Sequence, residues 1–459
     1  MPNLRDLSQP ASLTRRDWLR LAAFGVSGST FSGWLNLLAE DAKTSDSTKQ
    51  RRACIVLWMG GGPSQTDTFD LKPGHANGGP FREIDTSAAG VRISEHLPQL
   101  AKWGQRLAVV RSMTTKEGDH GRATQVMHTG YAPQGPIQFP QLGSLIAKEL
   151  ADLNADLPNC VSIAPSRNVE SQLSGGFLGP KFAPLAIGAG DRAAVADIPR
   201  ALQVPDLRPS SPLSPQQFDA RLRMLAQLDG EFLASISGDG SSHPSAELAR
   251  GHRAAYERAV RLMRTEAAQA FDLEQESPVL RDAYGRNLFG QGCLLARRLI
   301  ERDVSFVEVS LSNVGGDNNS WDTHQNNFER VQRLSEILDP AWSTLLRDLD
   351  ERGRLDSTLV VWMGEFGRTP KINNNTGRDH FPNAWSAVVS GGGIRGGQVI
   401  GKTSDDAMRV TDRPVTCPDL FATICKAIGI DPRKQNLSNV GRPIRIADHT
   451  AKPIDEVLL

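Results

Sequence analysis

The stretch TLVVWMGEFGRTP, residues 358–370, runs through apolar and β-branched residues without a break and then stops at Gly364-Glu365-Phe366-Gly367-Arg368. A continuous apolar run, as opposed to an alternating one, marks a strand covered on both faces, the condition of a parallel sheet between helix layers. Similar runs stand at 53–59 (ACIVLWM), 107–112 (LAVVRS), 160–164 (CVSIA), 304–311 (VSFVEVSL) and 386–391 (SAVVSG). Helical periodicity fills the gaps at 141–152, 245–273, 283–301, 325–352 and 418–428. The predicted class is α/β, a mainly parallel sheet sandwiched between helices. Residues 165–245 are rich in Pro, Gly and Ser and read as surface excursions or an inserted cap, with a plain linker as the competing reading for 205–215. One main domain over 51–459, carrying an inserted irregular or helical region at about 165–280, accounts for the length.

The 52 basic and 52 acidic residues cancel, so no overall field draws the chain to nucleic acid or to an anionic membrane surface. Cys54, Cys160, Cys293, Cys417 and Cys425 form no CxxC and read as small buried hydrophobes. Residues 1–50 stand apart as an export segment and linker. There Arg15 and Arg16 precede a mildly apolar stretch, 19–39, that is too polar for a membrane span. It resembles a twin-arginine export signal, which implies the twin-arginine export machinery as a partner and a location in the periplasm, cell envelope or extracellular space. An amphipathic surface helix is the competing reading. No A-x-A site stands near Ala39, so removal and retention as a membrane anchor both stay open.

In open parallel sheets, ligands sit outside the carboxyl ends of the strands. After 53–59 come three glycines and then Asp67 and Asp70, with ordinary turn capping as the plain alternative; no Gly-Lys-Ser/Thr or GxGxxG phosphate loop is present there. After 107–112 come the hydroxyls Thr114 and Thr115, then Asp119, His120 and His128, the two histidines sharing one face of a helix. After 304–311 come Asp322 and His324, one hard oxygen and one imidazole, a donor set that suits zinc, manganese or iron better than calcium. Asp322 as a simple helix cap is the alternative. Glu365 ends a buried strand, which costs several kcal/mol unless a cation or donors compensate, and Arg368 is the structural alternative to a metal. Asp379 and His380 follow in GRDHFPNAW, 377–385. Asp67, Asp322, His324, Glu365 and His380 together form a candidate cluster for one or two divalent metal ions, zinc or manganese favoured, calcium or magnesium compatible.

LWMGGGPSQTDTFDLKPG, HGRATQVMHTGYAPQG, WDTHQNNF, WMGEFGRTPKIN, GRDHFPNAW and VTCPDLFATICKAIGI together resemble the bacterial family called domain of unknown function 1501, from residue 50 on. Its members look like distant relatives of alkaline phosphatases and sulfatases. The resemblance implies an alkaline-phosphatase-like sheet with one or two metals at its edge, activating a hydroxyl nucleophile against a phosphate or sulfate ester. Asp322 and His324 match the superfamily's carboxylate-histidine loop, and His380 matches a later histidine. Glu365-Phe366 stands where relatives place an Asp-His pair, which removes one ligand. Laying Thr129-Gly130 on the end of the sulfatase signature puts His120 where the modified cysteine would stand, leaving Thr114, Thr115 and Ser64 as hydroxyl candidates.

The function expected is that of an exported metal-dependent hydrolase. Asp322, His324, Glu365 and His380 would be ligands, with Asp67 a further one. His120 would act as ligand or general base, Arg368 as anion clamp, and Thr115 as the catalytic hydroxyl. The substrate expected is a small anionic ester or a sulfated or phosphorylated saccharide, with no nucleic acid and a membrane contact only through an uncleaved N-terminal segment. The rival is a non-catalytic envelope protein that keeps the fold and binds a saccharide or protein partner.

Overall fold

All six apolar runs form strands. The structure, a computed structural model, describes residues 51–459 except 151, 153–154, 189–197, 205–213, 237–250, 252, 254–255, 258, 264–265 and 313–319. The segment read as an export signal lies outside the described residues. Within the unit Arg51–Leu459, the strands are β1 Ala53–Trp58, β2 Leu107–Thr114, β3 Cys160–Ile163, β4 Leu185–Ile187, β5 Phe306–Ser310, β6 Thr358–Met363, β7 Trp385–Gly391, β8 Gln398–Ile400 and β9 Val415–Thr416. They join in one nine-stranded sheet of order β8-β2-β7-β6-β1-β5-β3-β4, with β9 also on β2. Only β7 runs antiparallel to its neighbours, β2 and β6; the other pairings are parallel.

The strands alternate faces, and both faces are apolar. Ile55 and Leu57 join the core that includes Leu294, Leu295, Leu299, Leu338, Trp342 and Leu345, from helices Leu288–Glu301 and Asn327–Glu351. Cys54, Val56 and Trp58 join the opposite core with Leu145, Ile146, Leu420, Phe421 and Ile424, from helices Leu142–Leu150 and Cys417–Ala427. Full burial of each such aliphatic side chain contributes about 1.5–3 kcal/mol, which is why uninterrupted runs hold the central positions. All five cysteines are buried free thiols. Among the described residues no helix is long and apolar enough to cross a membrane.

Two expected helices differ. The pattern over 283–301 breaks at Gly285, at φ 90°, and the chain re-enters helix at Leu288 under an Asn287 cap whose side chain accepts from Gly290 N. Over 245–273 the described residues between 251 and 263 are helical, as expected, while the stretch after them is the 3-10 helix Glu266–Phe271; residues 245–250 lie outside the described ones.

The strand-end loops meet at one edge because β1 ends in a glycine turn. Gly61 has φ 109°, and a Cβ there would sit 2.4 Å from Asp322 N. Gly62 has φ 78°, and a Cβ there would sit 2.6 Å from Phe366 O. Only glycine lets the loops carrying Asp322 and Glu365 close onto the end of β1. Across the same edge a short antiparallel hairpin pairs Arg368 with His380 and Gly367 with Phe381.

Candidate metal centre and its cleft

Four side chains converge at this edge. His120 is the first residue of the helix α1, His120–Thr129, whose start is fixed by Asp119 accepting from Arg122 N at 3.0 Å. Asp322 and His324 precede the helix α2, Asn327–Glu351, and His380 lies in the hairpin. His120, Asp322 and His380 offer ligand atoms that all lie within 4.8 Å of one another. Asp322 Oδ1 lies 3.4 Å from His120 Nε2, 3.4 Å from His380 Nε2 and 3.1 Å from His324 Nε2, and the last two nitrogens are 3.0 Å apart.

The other nitrogen of each ring meets an acceptor. His120 Nδ1 lies 2.7 Å from Glu365 Oε1, His324 Nδ1 2.9 Å from Asp379 Oδ1, and His380 Nδ1 2.8 Å from Gly118 O. A carbonyl or an ionised carboxylate only accepts, so each Nδ1 carries a proton and each ring turns its Nε2 toward Asp322. This is the arrangement that orients metal-ligating histidines.

Two further observations fit a cation. His120 Nε2 is buried without a hydrogen-bond partner, turned toward Asp322. A tetrahedral zinc about 2.0–2.1 Å from each ligand places ligand atoms roughly 3.3 Å apart; the separations above, 3.0–3.4 Å, fall at that spacing, while only His120, Asp322 and His380 lie mutually within 4.8 Å and His324 stands outside that trio, against Asp322 and His380. Three imidazoles and one carboxylate suit zinc or manganese better than calcium or magnesium.

Charge follows the same geometry. Burial opposes a charge on His120, but the Asp322 and Glu365 carboxylates beside it outweigh that and raise its pKa to about 9. Burial likewise opposes the Asp322 charge, yet His120, His380 and Arg368 hold its carboxyl well below the usual range. The bond from His324 lowers Asp379.

Several expectations need correction. Asp67 does not join the cluster: it is fully buried, bound by Arg378 through Nε at 2.7 Å and the terminal nitrogen at 3.1 Å, and by Asn327 Nδ2 at 2.8 Å. Its charge is already matched, and it ties the His380 loop to the start of α2. Glu365 stands behind His120, accepting from Gly61 N at 2.9 Å, and is not in the converging group.

Arg368, expected to clamp an anion, is 0% exposed and donates to Gly61 O, Gly62 O, Arg378 O and, at 2.5 Å, Asp322 Oδ1. It is the counter-charge of Asp322 and faces no solvent. Thr115 is not drawn in either; its hydroxyl accepts from Glu117 N at 3.3 Å. The ring of Phe366, where the superfamily resemblance calls for a histidine ligand, packs 4.9 Å from His120 and 4.8 Å from His380.

His128 also stays outside. Eight residues along a helix is about 12 Å, and its ring is buried against Trp58, bonded to Glu308 Oε2 at 2.8 Å and Thr124 O at 2.8 Å. Burial disfavours its charge, but Glu308 prevails and the pKa is raised.

Beside the cluster opens a cleft of about 480 Å³ with Asp322 and His324 among its lining residues. Arg167, Asn168, Ser320, Gln325 and Arg330 complete the lining, and sequence reasoning named none of them. Arg330 donates to Asp322 O and Ser320 O, each at 3.2 Å. Arg167 follows the end of β3, so the strand-end rule applied to that strand would have found it.

No curated protein matches the chain. Solved structures similar to it include Ps i-CgsB, at 9% identity over 83% of this chain and 73% of that one, TM-score 0.37. The PsFucS1 sulfatase from Pseudoalteromonas sp. is 11% identical over 86% and 70%, TM-score 0.39. The phosphonate monoester hydrolase of Agrobacterium radiobacter is 14% identical over 84% and 75%, TM-score 0.34. The pattern of one family, described as "Protein of unknown function (DUF1501)", matches residues 51–458, and the chain belongs to that family.

Proposed function

We propose that this protein is an exported, metal-dependent hydrolase of a phosphate or sulfate ester, with His120, Asp322, His324 and His380 holding one divalent ion, zinc or manganese. The observation that carries the reading is the convergence of three Nε2 atoms on Asp322 while all three Nδ1 atoms meet acceptors. A dication held there would supply charge that polarises an ester oxygen and neutralises the anion.

The chain's own groups set up that chemistry. Glu365, Asp379 and the Gly118 carbonyl hold the Nδ1 protons and fix ring orientation. Arg368 offsets the Asp322 charge from the buried side. Phe366 fills the space beside two of the rings, which favours one ion over two. Export by the twin-arginine route, which carries proteins already folded, suits a metal loaded before translocation and is supported by Arg15 and Arg16 with the stretch behind them.

Elemental analysis of full-length protein, paired with turnover of aryl phosphate and aryl sulfate esters, tests the reading. One equivalent of metal and a turnover that both disappear in His380→Ala support it. A well-folded parent with neither metal nor turnover overturns it and leaves a binding protein on the same fold.

A further inference from the structure

We propose that Arg167 is the residue that receives the substrate's anionic group, and that the cleft takes a hydrophilic ligand bearing a tetrahedral oxyanion, of sugar-like size. The inference rests on the hydrolase reading and names the substrate class of the same site.

The arginines nearest Asp322 are committed elsewhere. Arg368 is fully buried against Asp322 and three backbone carbonyls. Arg330 is held by the carbonyls of Ser320 and Asp322. The Arg167 side chain is exposed, lines the cleft beside Asp322 and His324, and among the described residues has no acidic partner.

Its backbone is fixed relative to the metal cluster. Ser166 accepts from Val169 N at 3.5 Å, and a Cβ built on Gly60 would lie 3.0 Å from Ser166 Cβ. The loop carrying Arg167 is thus packed against the glycine turn that also receives the Asp322 loop. A guanidinium in that place presents paired N–H groups to a sulfate or phosphate, a match that a lysine makes less well.

The rest of the lining decides the ligand's other half. Asn168, Ser320 and Gln325 offer amide and hydroxyl groups, and among the described residues no aliphatic or aromatic side chain is in the lining. Amide and hydroxyl side chains of this kind are partners for the hydroxyl groups of a hydrophilic ligand. About 480 Å³ lies within the range of roughly 300–1,000 Å³ for small-molecule sites.

The experiment measures binding of inorganic sulfate and inorganic phosphate to the metal-loaded full-length protein, the parent against Arg167→Gln and Arg167→Lys, with metal content and thermal midpoint recorded for each. We expect Arg167→Gln to keep its metal and its midpoint while its oxyanion affinity falls about 10- to 100-fold, Arg167→Lys falling in between. Which of the two anions binds more tightly separates a sulfate from a phosphate site. Unchanged oxyanion affinity in a metal-replete Arg167→Gln protein overturns the role of Arg167 and leaves the metal centre standing. A parent that takes up no metal overturns both.

Discussion

Metal uptake should be governed by one proton, on His120. This ring lies between Glu365 Oε1 at 2.7 Å and Asp322 Oδ1 at 3.4 Å, and against the opposing effect of burial these carboxylates raise its pKa to about 9. Nε2 must lose that proton before it can ligate, so the apparent dissociation constant exceeds the intrinsic one by 1 + 10^(pKa − pH). With a pKa of about 9, the factor is about 100 at pH 7 and about 2 at pH 9, so affinity should rise roughly 50-fold over that interval and flatten above it.

Stability without metal moves the other way. The folded pKa stands above the ordinary value of 6.5, so the contribution of His120 is fully present below about pH 6.5 and is lost as pH rises through about 9. Glu365→Gln removes one of the two carboxylates, which should move the whole titration to lower pH. The loss of a strong acceptor for Nδ1 should also cost about 10–100-fold in affinity at pH 9. Titration with chelator-buffered zinc at half-unit pH steps measures both effects. Equal affinity at pH 7 and pH 9 in the parent would refute the reasoning, because it would mean that binding releases no proton from this ring.

Removing the carboxylate in Asp67→Ala leaves Arg378 buried without its counter-charge and should cost about 3–5 kcal/mol in denaturant unfolding; a loss under about 1 kcal/mol would contradict the assignment of Asp67 to structure. Glu308→Gln should likewise destabilise by about 3 kcal/mol, since it strands the buried His128 charge, while the metal stoichiometry stays at the parent value. A drop in stoichiometry there would place His128 in the site after all. Gly61→Ala forces a Cβ to within 2.4 Å of Asp322 N at φ 109° and should lower zinc affinity by more than about tenfold; parental affinity would show that the turn does not set the ligand loop.

The sheet was legible because its inner strands are covered on both faces, and such burial leaves uninterrupted apolar runs such as TLVVWM. The edge strands Leu185–Ile187, Gln398–Ile400 and Val415–Thr416 are two or three residues long and only partly buried, so their composition carries no comparable signal. The candidate site was legible one loop at a time: Asp322, His324, His380 and His120 each follow a strand end, where side chains converge.

Pairing between loops was not legible. Asp67 and Glu365 look alike in sequence, as acids after glycines, yet one meets Arg378 and the other His120. Arg368 lies three residues from Glu365 and instead meets Asp322, 46 residues away. Which acid a guanidinium finds depends on how the loops cross. Arg167 carries no such signal, because its loop reads as the start of a Pro- and Ser-rich excursion and such composition is indifferent to what it packs against.

X-ray absorption at the metal edge of purified full-length protein tests the central claim most directly. The account predicts one zinc or manganese per chain with imidazole scattering from three histidines, at about 2.0–2.1 Å if the ion is zinc, reduced by one imidazole in His324→Ala. A shell of oxygens alone, or a folded protein that takes up no metal at pH 9, would contradict it.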